Sequence, residues 1–327
     1  MEKQKVIIST NLEASLSSAV SECERDRTFV LVDETTEKLC WPLIADFDCV
    51  SDAELITIGA TDEHKTLESL AHVWTCLQRG GATRHSLLIN LGGGMVTDLG
   101  GFAASTFKRG INFGGLKNEI GVFNNAHSVI LDTTFLKTLD NENICSGYAE
   151  MLKHGLIATE EMWGELVNFD LGTPDYQQLS RMVADSVQVK ERIVEQDPKE
   201  SGLRKALNLG HTVGHAFESL ALQRQPFLHG YAVAYGLICE LYLSCVKTGF
   251  PTDKMRQTVR FINENFGQMP ITCDDYPTLL ELMTHDKKNV AGEINFTLLG
   301  GIGDIRINQT ATKEEILEAL DFYREGN

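Results

Sequence analysis

Short apolar runs alternate with amphipathic stretches throughout the first half of the chain. Five of these runs have the length of a strand: KVIIS (5–9), TFVLVD (28–33), LITIG (55–59), SLLINLGGG (86–94) and HSVILD (127–132). Helical patterns such as KTLESLAHVWTCLQRG (65–80) lie between them. Strands that alternate with helices are typical of a parallel sheet with crossover helices. This pattern therefore predicts an α/β domain.

In the second half, apolar residues recur with the period of an α-helix over long stretches. Four stretches show this period: GYAEMLKHGLIA, YQQLSRMVADSVQVKERIVE, LRKALNLGHTVGHAFESLAL and GYAVAYGLICELYLSCVKTG. They predict a mostly α-helical domain, with a hairpin where polar and apolar residues alternate in GEINFTLLGGIGD (292–304). A chain of 327 residues, 43% of them apolar, can build two cores. The change of period places the α/β domain at residues 1–145 and the helical domain at residues 146–327.

The formal net charge of -17 and the pI near 4.9 argue against two classes of partner. Nucleic acid and anionic lipid surfaces would be repelled, and no run of lysine and arginine offsets this charge. The eight cysteines are scattered without a CxxC pair, as expected for reduced thiols. The start MEKQKVIISTNL lacks the apolar run of a signal peptide, and no run is long enough to span a bilayer. We therefore expect a soluble, cytoplasmic protein.

Three glycines, Gly92, Gly93 and Gly94, end the fourth apolar run and precede the helical pattern MVTDLGGFAASTF. A strand that turns through glycines into a helix brings backbone N–H groups and the positive end of the helix dipole to a phosphate. Dinucleotide sites are built in this way. A tight turn that simply needs glycine explains the same residues equally well.

Four polar side chains share one face of a helix that the pattern predicts over residues 202–220. They lie at i, i+4, i+7 and i+11: Arg204, Asn208, His211 and His215. Gly210 and Gly214 each cost such a helix about 1 kcal/mol relative to alanine, so they are expected where another group approaches the backbone closely. A polar stripe of this kind favours a functional site over a core face.

Two further residues could complete a metal site. His229 begins another apolar helix in FLHGYAVAYG, and Glu150 lies in SGYAEMLKHG, three residues before Lys153. Two imidazoles and a carboxylate from three helices would suit zinc or a similar divalent ion and leave a coordination position open. Periodicity alone instead favours His211 with His215, at the i, i+4 spacing of zinc-binding helices. Both ligand sets stay open on this evidence.

Seven segments of the chain together resemble the 3-dehydroquinate synthase family of sugar-phosphate cyclases. From the N-terminus they are GGGMVTDLGGFAASTFKRG, LKNEIGVFNN, LDTTFLKTL, SGYAEMLKHGLI, GLRKALNLGHTVGHAFE, LHGYAVAYG and HDKKN. They follow the family's order from about residue 90 to residue 303, so the resemblance is more specific than any single motif. The first ninety residues agree mainly in pattern.

The resemblance implies an NAD-dependent and metal-dependent enzyme of the shikimate pathway, with zinc or cobalt as the metal. Such an enzyme is a carbon–oxygen lyase that converts 3-deoxy-D-arabino-heptulosonate 7-phosphate to 3-dehydroquinate and phosphate. NAD takes up a hydride, phosphate is eliminated, the hydride returns, and ring opening with an aldol closure forms the carbocycle. The family also implies NAD binding in the first domain, metal and substrate binding in the second, and a homodimer.

Residue by residue, the resemblance implies Glu150, His211 and His229 as metal ligands, and His215 as a substrate-side group. Positions that match family residues holding the phosphate, carboxylate or hydroxyls of the substrate are Arg109, Lys153, Lys190, Arg204, Asn208 and one of Lys287 or Lys288. Positions that match the nucleotide site are Asp33, Asp62, Lys65, Gly92, Gly93, Gly94, Asp98, Lys117, Asn118 and Thr138. An acidic protein that binds a doubly anionic sugar needs positive charge concentrated at the site, which agrees with these lysines and arginines.

The chain departs from the family in two places. Only INFGGL (111–116) separates Arg109-Gly110 from Lys117-Asn118, where family members carry a much longer stretch with a substrate-binding lysine and an aspartate. This interval is either a true deletion or a point at which the printed sequence omits a longer loop. Tyr231 stands where the family usually has glutamate, which affects the surroundings of His229. The alternative functions are another sugar-phosphate cyclase, a metal-dependent and NAD-dependent polyol dehydrogenase, or a catalytically impaired relative.

Overall fold

The computed structural model describes residues 5–113, 126–198, 202–284 and 294–326. The side chains of Asp62, Arg109, Asn112 and Phe113 lie outside this description. By its internal contacts the chain divides into two compact units, residues 1–138 and residues 139–327. The assignment of NAD binding to residues 1–145 and of metal and substrate binding to residues 146–327 stays a prediction.

The first unit is built on parallel strands. They are β1 (Lys5–Ile8), β2 (Thr28–Asp33), β3 (Glu54–Ile58), β4 (Leu87–Asn90), β5 (Asn112–Phe113) and β6 (Ser128–Leu131). One sheet has the order β3-β2-β4-β5, and β1 pairs with β6 in a second, two-stranded sheet. Every one of these pairs is parallel, which confirms the α/β prediction. The two-residue strand β5 is too short to leave a periodic signal in the sequence.

The helices of the first unit connect these strands. They are α1 (Leu12–Ser21), α2 (Glu34–Leu39), α3 (Leu67–Arg79) and α4 (Gly94–Thr106). In α3, Leu70, Val73 and Leu77 are buried at i, i+3 and i+7, and they share one apolar cluster with Leu31 and Ile56 of the sheet. Full burial of such a side chain contributes about 1.5–3 kcal/mol. This packing fixes the carboxyl ends of β2 and β4, where the nucleotide-site candidates begin.

The second unit is mostly helical, as the sequence predicts. Its helices are α5 (Asn141–Ala158), α6 (Glu160–Val167), α7 (Tyr176–Gln196), α8 (His211–Ala221), α9 (His229–Thr248), α10 (Thr252–Phe266), α11 (Tyr276–Thr284) and α12 (Lys313–Glu325). One antiparallel hairpin joins β7 (Asn295–Gly301) to β8 (Asp304–Thr310), so it extends beyond the predicted end at residue 304. Among the described residues, no helix is long and apolar enough to cross a membrane. All eight cysteines are described, and none forms a disulfide.

The prediction of one continuous helix over residues 202–220 is wrong. Residues Leu203–Asn208 form a short 3-10 helix, the backbone turns at Gly210 with φ of +80°, and α8 begins only at His211. A left-handed residue ends any helical run, and glycine adopts this conformation without steric cost. Arg204 and Asn208 therefore do not share a helix face with His211, although His215 does.

The glycines of this region let α8 and α9 pack backbone against backbone. A Cβ atom on Gly236 of α9 would overlap the carbonyl oxygen of Gly210. A Cβ atom on Gly214 of α8 would lie 2.8 Å from the carbonyl oxygen of Ala232. The close approach that the two glycines of the stripe indicate is therefore the approach of α9.

Candidate functional site

Side chains from three helices of the second unit converge around the carboxylate of Glu150. Glu150 lies on α5, His211 is the first residue of α8, and His229 is the first residue of α9. Oε1 of Glu150 lies 3.4 Å from Nε2 of His211 and 3.6 Å from Nε2 of His229. The two imidazole centroids are 5.4 Å apart. The structure therefore brings together the three residues that the resemblance implies as metal ligands.

The hydrogen bonds of the two imidazoles fix which nitrogen of each ring faces Glu150. Nδ1 of His211 lies 3.1 Å from the carbonyl oxygen of Leu209, and Nδ1 of His229 lies 3.2 Å from Oε1 of Glu218. A carbonyl and a carboxylate only accept, so each Nδ1 carries the proton and donates it. When Nε2 has lost its proton, its lone pair can bind a metal ion, as in carboxylate–histidine–zinc arrangements.

The distances of this cluster suit a divalent cation. Two donors bound to one zinc ion at about 2.0–2.1 Å in tetrahedral geometry lie roughly 3.3 Å apart. The separations of 3.4 and 3.6 Å between Glu150 and the two imidazoles are close to that value. Two nitrogens and one oxygen form a donor set that zinc accepts, with a fourth position left for substrate. The residues present therefore fit such an ion.

His215 lies beside this cluster, one helical turn after His211. Its ring centroid is 5.4 Å from that of His211 and 5.8 Å from that of His229. The ligand-type nitrogens of the three histidines all lie within 4.8 Å of one another. Glu150, however, faces His211 and His229 with its Oε1. The assignment of His215 to the substrate side rather than to the metal stays a prediction.

Lys153 provides the positive charge next to the carboxylate of Glu150. It is one turn after Glu150 on α5, is only 2% exposed, and its Nζ contacts Oε2 of Glu150. Burial lowers the pKa of Lys153, an effect that Glu150 opposes. Burial raises the pKa of Glu150, but Lys153 and the two histidines outweigh this effect and hold it well below its usual range. Glu150 is therefore an anion at neutral pH, as a metal ligand must be.

His154, the neighbour of Lys153, belongs to a buried pair that the sequence did not indicate. Its Nδ1 lies 2.6 Å from Oγ of Ser186 on α7. Burial, with the positive charges of Lys153 and Lys190, lowers the pKa of His154 to about 3. The ring is therefore neutral at physiological pH and adds no second cation beside Lys153. The charge of Lys190 reaches Lys153 as well, which places both lysines in one neighbourhood.

The other substrate-side candidates divide into described and undescribed residues. Nη1 of Arg204 donates to the carbonyl oxygen of Pro198 at 2.9 Å, and its backbone N–H donates to Oδ2 of Asp197 at 3.1 Å. Asn208 ends the 3-10 helix three residues before His211. Lys287 and Lys288 lie outside the described residues, as does the side chain of Arg109.

The nucleotide-site candidates of the first unit gather at one edge of the sheet. β2 and β4 pair in parallel, so Asp33 at the end of β2 and the glycines after β4 lie at neighbouring carboxyl ends. Ligands of α/β proteins bind at this edge. Nζ of Lys65 forms an ion pair with Oδ2 of Asp98 at 2.9 Å, which brings two further candidates together.

Some of these candidates also have structural roles. Oδ1 of Asp33 accepts from the backbone N–H groups of Thr35 and Thr36 and caps α2. Thr138 donates to the carbonyl oxygen of Phe135 at 2.7 Å. Lys117 and Asn118 lie outside the described residues, as does the side chain of Asp62.

The three glycines around the start of α4 differ in what surrounds them. A Cβ atom on Gly92 would lie 2.7 Å from the side chain of Val96, so packing within the protein requires glycine there. A Cβ atom on Gly93 or Gly94 would have no heavy atom of the described residues within 4 Å. Gly93 precedes α4 and has no side chain with which to cap its N–H groups. The open space at a helix N-terminus fits a phosphate better than it fits a turn that merely needs glycine.

Sequence reasoning missed two carboxylates around the histidines. Glu218 contacts His229 and lies at i+7 from His211, the spacing of one helix face, so the pattern could have indicated it. Glu240 accepts hydrogen bonds at the start of α8, and its sequence signal is a lone acid in the apolar run GLICELYL.

Comparisons with known proteins agree across the whole chain. A family model described as 3-dehydroquinate synthase N-terminal matches residues 55–116, and one described as 3-dehydroquinate synthase C-terminal matches residues 147–289. A 3-dehydroquinate synthase of Parabacteroides distasonis is 51% identical over 350 residues, covering 100% of this chain and 99% of the relative. That alignment is longer than the 327 residues of the chain, so the relative carries residues that this chain lacks.

Two solved structures share the fold. 2-epi-5-epi-valiolone synthase from Streptomyces hygroscopicus subsp. jinggangensis, with NAD+ and Zn2+ bound, has a TM-score of 0.83 at 22% identity and covers 100% of this chain and 98% of its own. 2-deoxy-scyllo-inosose synthase, complexed with carbaglucose-6-phosphate, NAD+ and Co2+, has a TM-score of 0.81 at 20% identity, with 98% and 96% covered. At these identities the likeness establishes the architecture, an α/β unit followed by a helical unit.

Proposed function

Because the chain belongs to the 3-dehydroquinate synthase family, we propose that it converts 3-deoxy-D-arabino-heptulosonate 7-phosphate to 3-dehydroquinate and phosphate. The observation that supports this proposal most directly is the orientation of two imidazoles. Nε2 of His211 and Nε2 of His229 both face Oε1 of Glu150, at 3.4 and 3.6 Å, while their Nδ1 atoms are occupied elsewhere.

We assign the metal ligands to Glu150, His211 and His229. A divalent ion held there, zinc or cobalt, would supply Lewis-acid chemistry to a substrate hydroxyl. The protein's own contribution is to keep the carboxylate of Glu150 ionised, through Lys153, and to turn Nε2 of both histidines towards it, where each would bind the ion once its proton is lost. His215, on the same face of α8 as His211, would hydrogen-bond a substrate oxygen.

The substrate carries a phosphate and a carboxylate, and the positive side chains would hold them. Lys153 and Lys190 lie close enough for the charge of one to lower the pKa of the other. An anion bound between them would relieve this repulsion. Arg204 has its guanidinium anchored on the carbonyl oxygen of Pro198, which limits the rotamers open to it.

NAD, bound at the carboxyl edge of the sheet, would accept a hydride and return it in the same turnover. The backbone N–H groups at the start of α4 would hold its pyrophosphate, in the space beside Gly93 and Gly94. Lys65 and Asp98, which already form an ion pair, would lie next to it. We further propose a cytoplasmic homodimer, as the family implies.

Phosphate release tests the proposal. Purified protein supplied with the heptulosonate phosphate, NAD and zinc should release phosphate and 3-dehydroquinate in equal amounts, with no net NADH. Removing the metal with a chelator should abolish the release, and adding zinc should restore it. Accumulation of NADH would instead identify a polyol dehydrogenase.

The remaining alternative is a catalytically impaired relative, and the six-residue interval at residues 111–116 is the feature that suggests it. The match to the N-terminal family model also ends at residue 116. If the lysine and aspartate that relatives carry there are essential, the chain would bind NAD and metal yet release no phosphate. Restoring activity by inserting the stretch from the Parabacteroides relative would then assign the defect to the interval.

A further inference from the structure

Glu240 is a fully buried carboxylate on α9, surrounded along its helix by apolar residues. Its two oxygens accept three backbone hydrogen bonds from the start of α8. Oε2 accepts from the N–H of Gly210 at 2.6 Å, and Oε1 accepts from the N–H groups of Thr212 at 2.9 Å and Val213 at 3.1 Å. A buried charge is costly unless hydrogen bonds of this kind compensate it.

These bonds make Glu240 the N-terminal cap of α8, supplied by another helix. The first N–H groups of an α-helix have no acceptors within the helix and need one from outside. Gly210 precedes α8, has φ of +80° and has no side chain that could serve. Glu240 fills this role with a negative charge, which also complements the positive end of the helix dipole.

The cap acts directly on the backbone that carries His211. His211 lies between Gly210 and Thr212, and the N–H groups of both these neighbours donate to Glu240. Glu240 also lies on α9, the helix that begins with His229. One side chain therefore links the helix of one candidate ligand to the first turn of the other.

The start of α9 is held in the same manner by α5. The N–H of Gly230 donates to Oγ of Ser146 at 3.1 Å, and a Cβ atom on Gly230 would overlap the backbone of Ser146. Ser146 lies four residues before Glu150 on α5. The first turn of α8 is thus anchored on α9, and the first turn of α9 is anchored on α5.

From these contacts we infer that Glu240 is a positioning residue for the metal site: its cap on α8 sets the distance of His211 from His229 and Glu150. The inference rests on the metal role proposed for these three residues. It assigns to Glu240 no contact with substrate or metal.

Glu240→Gln tests the inference, with cobalt(II) as the probe. Glutamine has one acceptor oxygen, and its NH2 group would face at least one of the three N–H donors. The first turn of α8 should therefore shift. We expect cobalt affinity to fall about 10–100-fold, as for other residues that orient metal ligands. The visible absorption bands of the bound cobalt should also change, since they report the geometry of its ligands.

Ser244→Ala is the matched control, one turn later on α9 and also fully buried. Oγ of Ser244 donates to the carbonyl oxygen of Glu240 at 2.6 Å and accepts from the N–H of Leu299 at 3.1 Å. Its loss should lower the thermal stability without touching α8. Cobalt affinity and spectrum should therefore match those of the wild type.

The results that would overturn the inference can be distinguished from failure of the proposed function. If Glu240→Gln loses stability as Ser244→Ala does but binds cobalt with wild-type affinity and spectrum, Glu240 has only a structural role and the proposed function stands. If the wild type binds no cobalt, the proposed metal function fails and the inference fails with it. Should Glu240→Gln not fold, Glu240→Asp keeps the charge but shortens its reach, and unchanged cobalt binding by that variant would be the contrary result.

Discussion

The carboxylate of Glu218 on α8 lies within 3.2 and 3.3 Å of Nδ1 of His229, the first residue of α9. This contact supplies an acidic neighbour to His229 in a chain that has Tyr231 where the family usually has glutamate. The hydrogen bond that His229 donates to Glu150, followed by the one that it donates to Glu218, raises the pKa of His229 to about 9 in the metal-free protein. The imidazole is therefore surrounded by two carboxylates, one facing each nitrogen.

Glu218→Ala should weaken zinc binding about 10–100-fold, because the ring of His229 loses the acceptor that holds its Nδ1 proton and its orientation. Competition with a chromogenic chelator measures this change. Glu264→Ala is the control, since Glu264 is 57% exposed on α10 and pairs with Arg260. Equal zinc affinities in the two variants would contradict a role for Glu218.

Alanine substitutions should distinguish the three proposed metal ligands from His215. Glu150→Ala, His211→Ala and His229→Ala should each lose bound metal and turnover together. His215→Ala should keep the metal and lose turnover. Metal content of the purified variants, measured beside phosphate release, decides the matter. A metal-free His215→Ala would show that the i, i+4 pair His211 and His215 is the true ligand pair.

Gly93→Ala should leave folding intact and weaken NAD binding. Gly93 has φ of -76°, which alanine adopts freely, and its added Cβ would meet no atom within 4 Å in the part of the chain that the structure describes. Only a ligand at the start of α4 would collide with it. Calorimetric titration with NAD, beside a thermal melt, checks both halves of the prediction. An unchanged NAD affinity would favour the simple turn.

Gly236→Ala should destabilise the protein by about 1–3 kcal/mol or more, because the new methyl group would overlap backbone atoms of α8. The same overlap should disturb His211, so bound zinc should decrease. Gly164→Ala in α6 is the control: its Cβ would meet nothing within 4 Å, and alanine there should stabilise by up to about 1 kcal/mol. Urea unfolding of both variants gives the comparison.

His154 should make the metal-free protein sensitive to mild acid. Its pKa falls from an ordinary 6.5 to about 3 in the folded state, so the unfolded chain binds the extra proton across that window. The contribution of His154 to the free energy of unfolding is fully present above pH 6.5. It decreases as the pH falls towards 3, by at most about 1.4 kcal/mol per pH unit. The free energy of unfolding should fall less steeply with acid in His154→Gln. Equal slopes in the wild type and in this variant would contradict the prediction, and the exposed His85→Gln serves as the control.

Local periodicity was sufficient for most of the fold, because the strands of the first unit and the long helices of the second bury one regular face. It failed at residues 202–220, where Gly210 breaks the helix. The left-handed turn there is stabilised by Glu240, which lies 30 residues away along the chain. A helical period contains no information about such a distant acceptor.

The candidate site was likewise predictable only in part. Glu150, His211 and His229 were singled out from their residue types and from the family resemblance, and the structure brings them together. Their tautomers depend on Leu209 and Glu218, which become visible only once α8 and α9 are placed side by side. Glu240 was missed, because its only sequence signal is a lone acid in an apolar run and its role depends on the register of α9 against α8.

The anchoring of the N-terminal turns of α8 and α9 by other helices has a consequence for the kinetics of metal uptake. Because Glu240 and Ser146 already hold the backbone of both histidines, an arriving ion has no loop to order. The conformational entropy of the ligand backbone is lost during folding rather than at the moment of coordination. Protein stripped of its ion should therefore reload without a refolding phase.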